Sequence, residues 1–223
     1  MYPVREEITK LLSQLPAGVN LVAVSKYHPA EYIQEAYSVG QRIFGESHVQ
    51  ELRQKVEVLP KDIKWHFIGH LQTNKVKYIA PYINTIESVD SERLIAEINK
   101  QALKCERTID ILLELHLAEE ETKSGLTPDE CLELLGSGVK ERYPNVRICG
   151  LMTMASYTDD ESQIEREFER ASQFFDEVKA RSFANDDYFK ERSWGMSGDY
   201  PLAIKHRSTM IRVGTLLFGP RIY

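Results

Sequence analysis

Lys26 closes the apolar run Leu21-Val22-Ala23-Val24-Ser25, which sets an amine at the mouth of a buried strand. A lysine on the inward side of packed apolar residues loses hydration, its pKa falls, and the neutral amine becomes a nucleophile toward carbonyls. Such an amine implies Schiff-base chemistry with an aldehyde cofactor or a carbonyl substrate. The competing reading is a strand-end lysine whose charged head snorkels to water.

Late in the chain lie groups suited to an anion. In Gly195-Met196-Ser197-Gly198-Asp199 the glycine lets backbone approach a ligand and Ser197 offers a hydroxyl at a helix start. Val213-Gly214-Thr215 repeats the pairing of a small residue with a hydroxyl. Either segment also reads as a simple helix cap. Arg212, on an apolar strand, must find an anion or an acceptor if its strand faces a barrel interior; a buried structural ion pair is the alternative. The segment from Trp65 to Lys75 brings His66, His70, Gln72, Asn74 and Lys75 to a strand end and the helix start that follows. His66 and His70 have the spacing of a helical metal pair, but Phe67 stands where such a motif needs Glu and the segment reads as a strand ending at Gly69, so polar groups at a barrel mouth are expected rather than a metal.

The elements that must position these residues alternate along the chain. Eight apolar, β-branched segments are predicted as strands: 21–26, 42–45, 64–68, 85–89, 110–117, 146–152, 193–196 and 210–213. Helices are predicted between them, best defined over 91–104 (Leu94, Ile95, Ile98 and Leu103 behind a Ser91 cap) and 159–181 (Ile164, Phe168, Phe174, Phe175, Val178). One more helix, 4–15, precedes the first strand. Eight strand–helix units of this length predict a single (β/α)8 barrel with an additional N-terminal helix; a doubly wound open sheet is the runner-up. No repeat, low-complexity tract or flexible linker interrupts the chain, so residues 1–223 are read as one domain. Glu119-Glu120-Glu121 reads as a solvated loop.

Composition narrows the function classes. A net charge of −6 argues against a protein built to hold nucleic-acid phosphates. Cys105, Cys131 and Cys149 form no paired spacing, which fits reduced, cytoplasmic usage rather than a disulfide or zinc framework. The first residues lack the pattern of a signal peptide, and no stretch approaches about 18 apolar residues without charge, so no membrane association is expected.

Ordered motifs from Val22 to Tyr223 resemble the YggS/PROSC-type pyridoxal phosphate homeostasis proteins, single barrels related in fold to the N-terminal domain of alanine racemase. The landmarks are Ala23-Val24-Ser25-Lys26, Phe44-Gly45-Glu46 with Val49-Gln50-Glu51, Trp65 to Lys75, Lys123-Ser124-Gly125, Gly150-Leu151-Met152, Gly195-Met196-Ser197 with Asp199, and Ser208-Thr209 through Arg212, Gly214 and Phe218-Gly219. The resemblance implies pyridoxal 5′-phosphate (PLP) held as a covalent aldimine on Lys26. It implies that Ser197, Gly214 and Thr215 hold the phosphate and that Arg212 lies near the ring nitrogen or the phosphate. Ser47, His70, Met196, Ser208 and Thr209 complete the implied cofactor site, and no metal is expected. The chain departs from the family pattern at Ser47-His48, where Asn-Tyr is usual, at Arg207, where Gly is usual, and at Trp194, where a smaller Met is usual.

The function expected from these features is buffering or delivery of PLP in vitamin B6 homeostasis, without robust catalysis, by a monomer whose recipients are PLP-dependent apoenzymes. The alternative is a PLP-dependent racemase-like enzyme; racemisation needs an acid/base on each face of the cofactor, and only Lys26 is identified. In alanine racemase the second such group comes from a partner subunit docked through an additional β domain, whereas this chain ends at Tyr223, just after the barrel. A class I aldolase would also use a barrel lysine, but usually on a late strand rather than the first.

Overall fold

The computed structural model describes residues 2–117 and 124–220. Eight parallel strands pair in chain order, and the last returns to the first, so the barrel is closed. The strands are β1 (Asn20–Val24), β2 (Ile43–Glu46), β3 (Lys64–Phe67), β4 (Thr85–Val89), β5 (Ile109–Leu115), β6 (Val146–Thr153), β7 (Glu191–Ser193) and β8 (Met210–Val213). The closed order excludes the doubly wound sheet. At the closure Val22 stands beside Arg212 and Ala23 beside Val213.

Helices cover the outside: α1 (Val4–Gln14), α2 (Ala30–Ser38), α3 (Val49–Val58), α4 (Glu92–Lys104), α5 (Pro128–Gly136), α6 (Val139–Arg142), α7 (Glu161–Ser182), α8 (Tyr200–Lys205) and α9 (Thr215–Phe218), with a 3-10 turn over Thr73–Tyr78 in place of a helix after β3. The starts of α4, α5 and α7 follow from side-chain caps: Ser91 accepts from the Leu94 N–H, Thr127 and Glu130 form a reciprocal capping box, and Asp160 accepts from the Ser162 and Gln163 N–H groups. The main core lies between barrel and helices, where α7 buries Ile164, Phe168, Ala171, Phe175 and Val178. Leu103 is an exception to its predicted inward stripe. It is 61% exposed, because Ala102, four residues after Ile98, takes the inward position and Leu103 falls roughly 100° further round. The additional helix α1 buries Val4, Ile8 and Leu11 and packs on α2 and α9, over the seam where β8 meets β1.

Two strand ends differ from expectation in ways that shape the mouth. β1 stops at Val24, not Lys26: the Ser25 N–H still bonds the Gly45 carbonyl, but Tyr27 adopts φ +65° and turns the chain out of the sheet. β7 spans Glu191–Ser193 rather than 193–196, since Gly195 at φ +96° ends the extended run. The acidic run at 119–121 and the landmark lysine at 123 lie outside the described residues. Among the described residues no helix is long and apolar enough to cross a membrane.

Candidate functional site at the barrel mouth

A cavity of about 540 Å³ opens at the C-terminal ends of β1, β6, β7 and β8. This is the end of a (β/α)8 barrel where functional groups converge. Of the residues predicted for the site, Lys26, Met196, Ser197, Arg212, Gly214 and Thr215 line it. They come from the ends of β1, β7 and β8 and the loops that follow, which chain closure makes neighbours.

Lys26 is half-buried and lies in the turn after β1 rather than within the strand. Its predecessor is fixed: Ser25, fully buried, donates from Oγ to Glu46 Oε1 at 2.7 Å. Burial, countered by the Lys55 charge and reinforced by that of Glu51, pushes the Glu46 carboxyl up to about 7.

Arg212 is buried at 4% exposure and makes three hydrogen bonds. Nη1 donates to the Ser193 carbonyl (2.7 Å) and hydroxyl (2.6 Å), and Nη2 donates to the Thr153 carbonyl (2.9 Å). The Ser193 hydroxyl in turn donates to Glu87 Oε2 (2.6 Å), while His66 Nδ1 stands 2.6 Å from Glu87 Oε1. Burial raises the Glu87 carboxyl, but the His66 bond and charge, the Arg212 charge and the Ser193 bond outweigh it and hold the group below its usual range. Glu87 is therefore an anion at neutral pH. Burial lowers the Arg212 pKa, against the pull of Glu87, Asp199 and Glu114, yet a guanidinium keeps its proton in proteins. The cavity wall thus carries a positive charge whose orientation is set by three hydrogen bonds to Ser193 and Thr153 and by the ion pair with Glu87. The buried ion pair posed for Arg212 is present, with Nη1 3.7 Å from Glu87 Oε2, and the residue also lines the cavity.

The loop between β7 and α8 is built to present Ser197. Asp199 Oδ1 accepts from the Met196 N–H at 2.5 Å, and Gly195 takes a left-handed φ that few other residues adopt. Ser197 Oγ lies 3.4 Å from the Gly214 nitrogen. Gly214 has little room for a side chain: a Cβ there would stand 3.1 Å from the Val24 carbonyl oxygen and 3.2 Å from Val24 Cβ. Backbone from β1 and β8 is therefore in direct contact beneath Lys26.

Four predicted residues are not brought to the cavity. Ser208 is buried with its hydroxyl 2.7–3.0 Å from the carbonyls of Arg192, Trp194 and Met210. Thr209 Oγ1 accepts from the Arg192 N–H and donates to Glu191. Both stitch β7 to the start of β8, at the opposite end of the strand from the mouth. Ser47 packs on Gly69, where a Cβ would come 2.7 Å from Ser47 Cβ, so it spaces the ends of β2 and β3. His70 is largely exposed, with Nδ1 3.8 Å from Asp90 Oδ2. The other departures also face away from the cavity. Arg207, at φ +64°, donates from Nε to Ser172 Oγ (2.9 Å) and from Nη2 to Asp176 Oδ2 (2.7 Å) on α7. Trp194 is buried and donates from Nε1 to the His206 carbonyl, and His48 stacks obliquely near Tyr27.

Sequence reasoning missed one whole wall. Residues Met154 to Asp159, after β6, line the cavity opposite Lys26's strand, and the loop is tied down by buried Glu167, which accepts from the Ser156 N–H and hydroxyl at 2.7 Å each. Only a glutamate facing inward on an amphipathic helix, among the apolar positions of α7, hinted at this anchor.

Comparison with known proteins gives the family. The chain matches the alanine racemase N-terminal domain family over residues 4–221. It is 38% identical over 224 residues to the pyridoxal phosphate homeostasis protein of Aquifex aeolicus (strain VF5), spanning 99% of this chain and 96% of the relative. The chain belongs to the pyridoxal phosphate homeostasis protein family. A second member, from Schizosaccharomyces pombe, is 39% identical over 92% of this chain and 85% of its own length. Among solved structures, PipY of Synechococcus elongatus PCC7942 superposes with a TM-score of 0.90 without PLP (37% identity) and 0.87 with PLP bound (36%), each over 97% of this chain and 100% of PipY. The alanine racemase from E. faecalis, at 18% identity and TM-score 0.74 over 97% of this chain and 57% of the racemase, shares the fold.

Proposed function

We propose that this chain binds PLP as a Schiff base on Lys26 Nζ and serves cytoplasmic vitamin B6 homeostasis by buffering or delivering the aldehyde, without robust catalysis. The observation that carries the proposal is the convergence on one cavity of an amine, a fixed guanidinium and a hydroxyl–glycine cradle. The donor set fits an anionic aldehyde: Lys26 for the carbonyl, and Ser197, Gly214 and Thr215 for a phosphate. The contact of Gly214 with Val24 supports the fit, because it sets the anion cradle against the strand that carries the amine. A cavity of this volume suits a small cofactor.

When bound, PLP supplies a reactive aldehyde and an electron-withdrawing ring. The residues around it bear on which use is favoured. Arg212 presents a permanent positive charge, which disfavours a second one on a ring nitrogen nearby and so weakens the ring as an electron sink. Met196 at the rim and the loop 154–159 limit water at the amine. The whole chain acts as one PLP-binding domain and as a monomer, with PLP-dependent apoenzymes as recipients and neither nucleic acid nor membrane as partner. The names and PLP-bound structure of its relatives support this reading.

The test is absorbance spectroscopy of the purified chain with added PLP, followed by borohydride reduction and peptide mass mapping. A yellow band and an adduct confined to Lys26, both lost in Lys26→Ala, are expected. No adduct, or adducts scattered over surface lysines, overturns the proposal. Conversion of L- to D-alanine that depends on Lys26 would overturn the non-catalytic part alone.

A further inference from the structure

We infer that Lys55 is a positioning residue for Lys26: its ammonium, bonded to the Ser25 carbonyl and to the carboxylates of Glu46 and Glu51, fixes the backbone on both sides of the reactive amine. The inference deepens the PLP-binding reading and rests on it. Lys55 lies on α3, outside the cavity, and its side chain is 6% exposed. Its Nζ stands 2.8 Å from the Ser25 oxygen, 2.7 Å from Glu46 Oε1 and 2.6 Å from Glu51 Oε1. An ammonium has three donors, and all three are used.

The acceptors reach around Lys26. On the N-terminal side Ser25 is held twice, through its hydroxyl by Glu46 and through its carbonyl by Lys55. On the C-terminal side the Tyr27 N–H donates to Glu51 Oε1 at 2.7 Å. Tyr27 is one of only three described residues other than glycine with positive φ, and such a conformation persists where the surroundings over-determine it. Lys55 and Glu51 add to the turn bond from the His28 N–H to the Ser25 carbonyl (3.1 Å): weakening this set lets the chain after Lys26 relax toward negative φ, which swings the amine away from the cradle at Gly214. A buried ion triad is no more stabilising than apolar residues of similar volume, so geometry is what it contributes. The reacting amine is sensitive to geometry, since a displacement of about 1 Å can cost roughly 100-fold.

Two variants of the full chain test this, Lys55→Met and Glu51→Ala, with PLP and, separately, inorganic phosphate as probes. The readouts are the PLP dissociation constant, the share of borohydride-trapped PLP on Lys26, phosphate affinity measured by competition, and the unfolding midpoint. Lys55→Met leaves Glu46 buried without its cation and is the variant prone to misfold; Glu51→Ala keeps the Lys55–Glu46 pair and decides the matter in that case. The expected result is a rise of roughly 10- to 100-fold in the PLP dissociation constant and loss of Lys26 labelling, with phosphate affinity unchanged. A merely structural role would shift PLP and phosphate affinity together, in step with the unfolding midpoint, and would overturn the inference, as would native labelling of Lys26 in the folded variants. If the native chain itself is not labelled at Lys26, the PLP reading falls first and takes this inference with it.

Discussion

Glu46→Gln should change how stability depends on pH, and the structure gives the sign and size. The Glu46 carboxyl is fully buried; Oε1 accepts from Ser25 and Lys55, whereas Oε2 finds no hydrogen-bond partner among the described residues. Burial is the largest influence and lifts the group from 4.5 to about 7, even with Lys55 beside it. The folded chain therefore binds this proton more tightly than the unfolded chain does. Its contribution to stability is complete below the unfolded value of 4.5 and is lost as pH rises through about 7. At about 1.4 kcal/mol per pH unit, a shift of that size amounts to roughly 3 kcal/mol. Urea unfolding of both chains from about pH 5 to about pH 8.5 should show the stability difference, variant minus native, rising by up to about 3 kcal/mol, or about 1 M or more in urea midpoint. Subtracting the two chains removes titrations they share. A difference that stays flat across that range, or falls as pH rises, would refute the assignment of a proton to buried Glu46 near neutrality.

Gly214→Ala should leave the barrel folded but push Val24 and β8 apart, since the added Cβ meets backbone 3.1 Å away; at about 1–3 kcal/mol for overpacking, PLP and inorganic phosphate affinities should fall roughly 5- to 100-fold in titrations. Unchanged phosphate affinity would remove Gly214 from the cradle. Arg207→Gly trades a left-handed arginine for the residue that suits φ +64° while losing half-exposed bonds to Ser172 and Asp176. Opposing effects of about 1 kcal/mol each should leave the thermal midpoint nearly unmoved and PLP affinity the same, and a tenfold loss of affinity would mean that Arg207 reaches the site after all.

The barrel and its family motifs were legible in the chain because both are local. Apolar β-branched runs that alternate with amphipathic helices mark eight strand–helix units, and Ser91 announces its helix by its own side chain. Lys26, Ser197, Arg212, Gly214 and Thr215 could be singled out because each stands at a strand end, where barrel geometry puts chemistry. What the sequence could not decide was everything that depends on which ends meet. Ser208 and Thr209 share a motif with Arg212 yet lie at the wrong end of β8, because the rise along a strand separates neighbours in a motif by the depth of the barrel. Lys55 carried one local sign, its spacing of four from Glu51, but its service to Lys26 exists only once α3 packs against the end of β1. The opposing wall from Met154 to Asp159 likewise becomes part of the site only by closure of the ring. Composition and periodicity determined the elements and the chemistry available; long-range packing, which no local pattern encodes, decided which of those groups share a cavity and which of them hold the others in place.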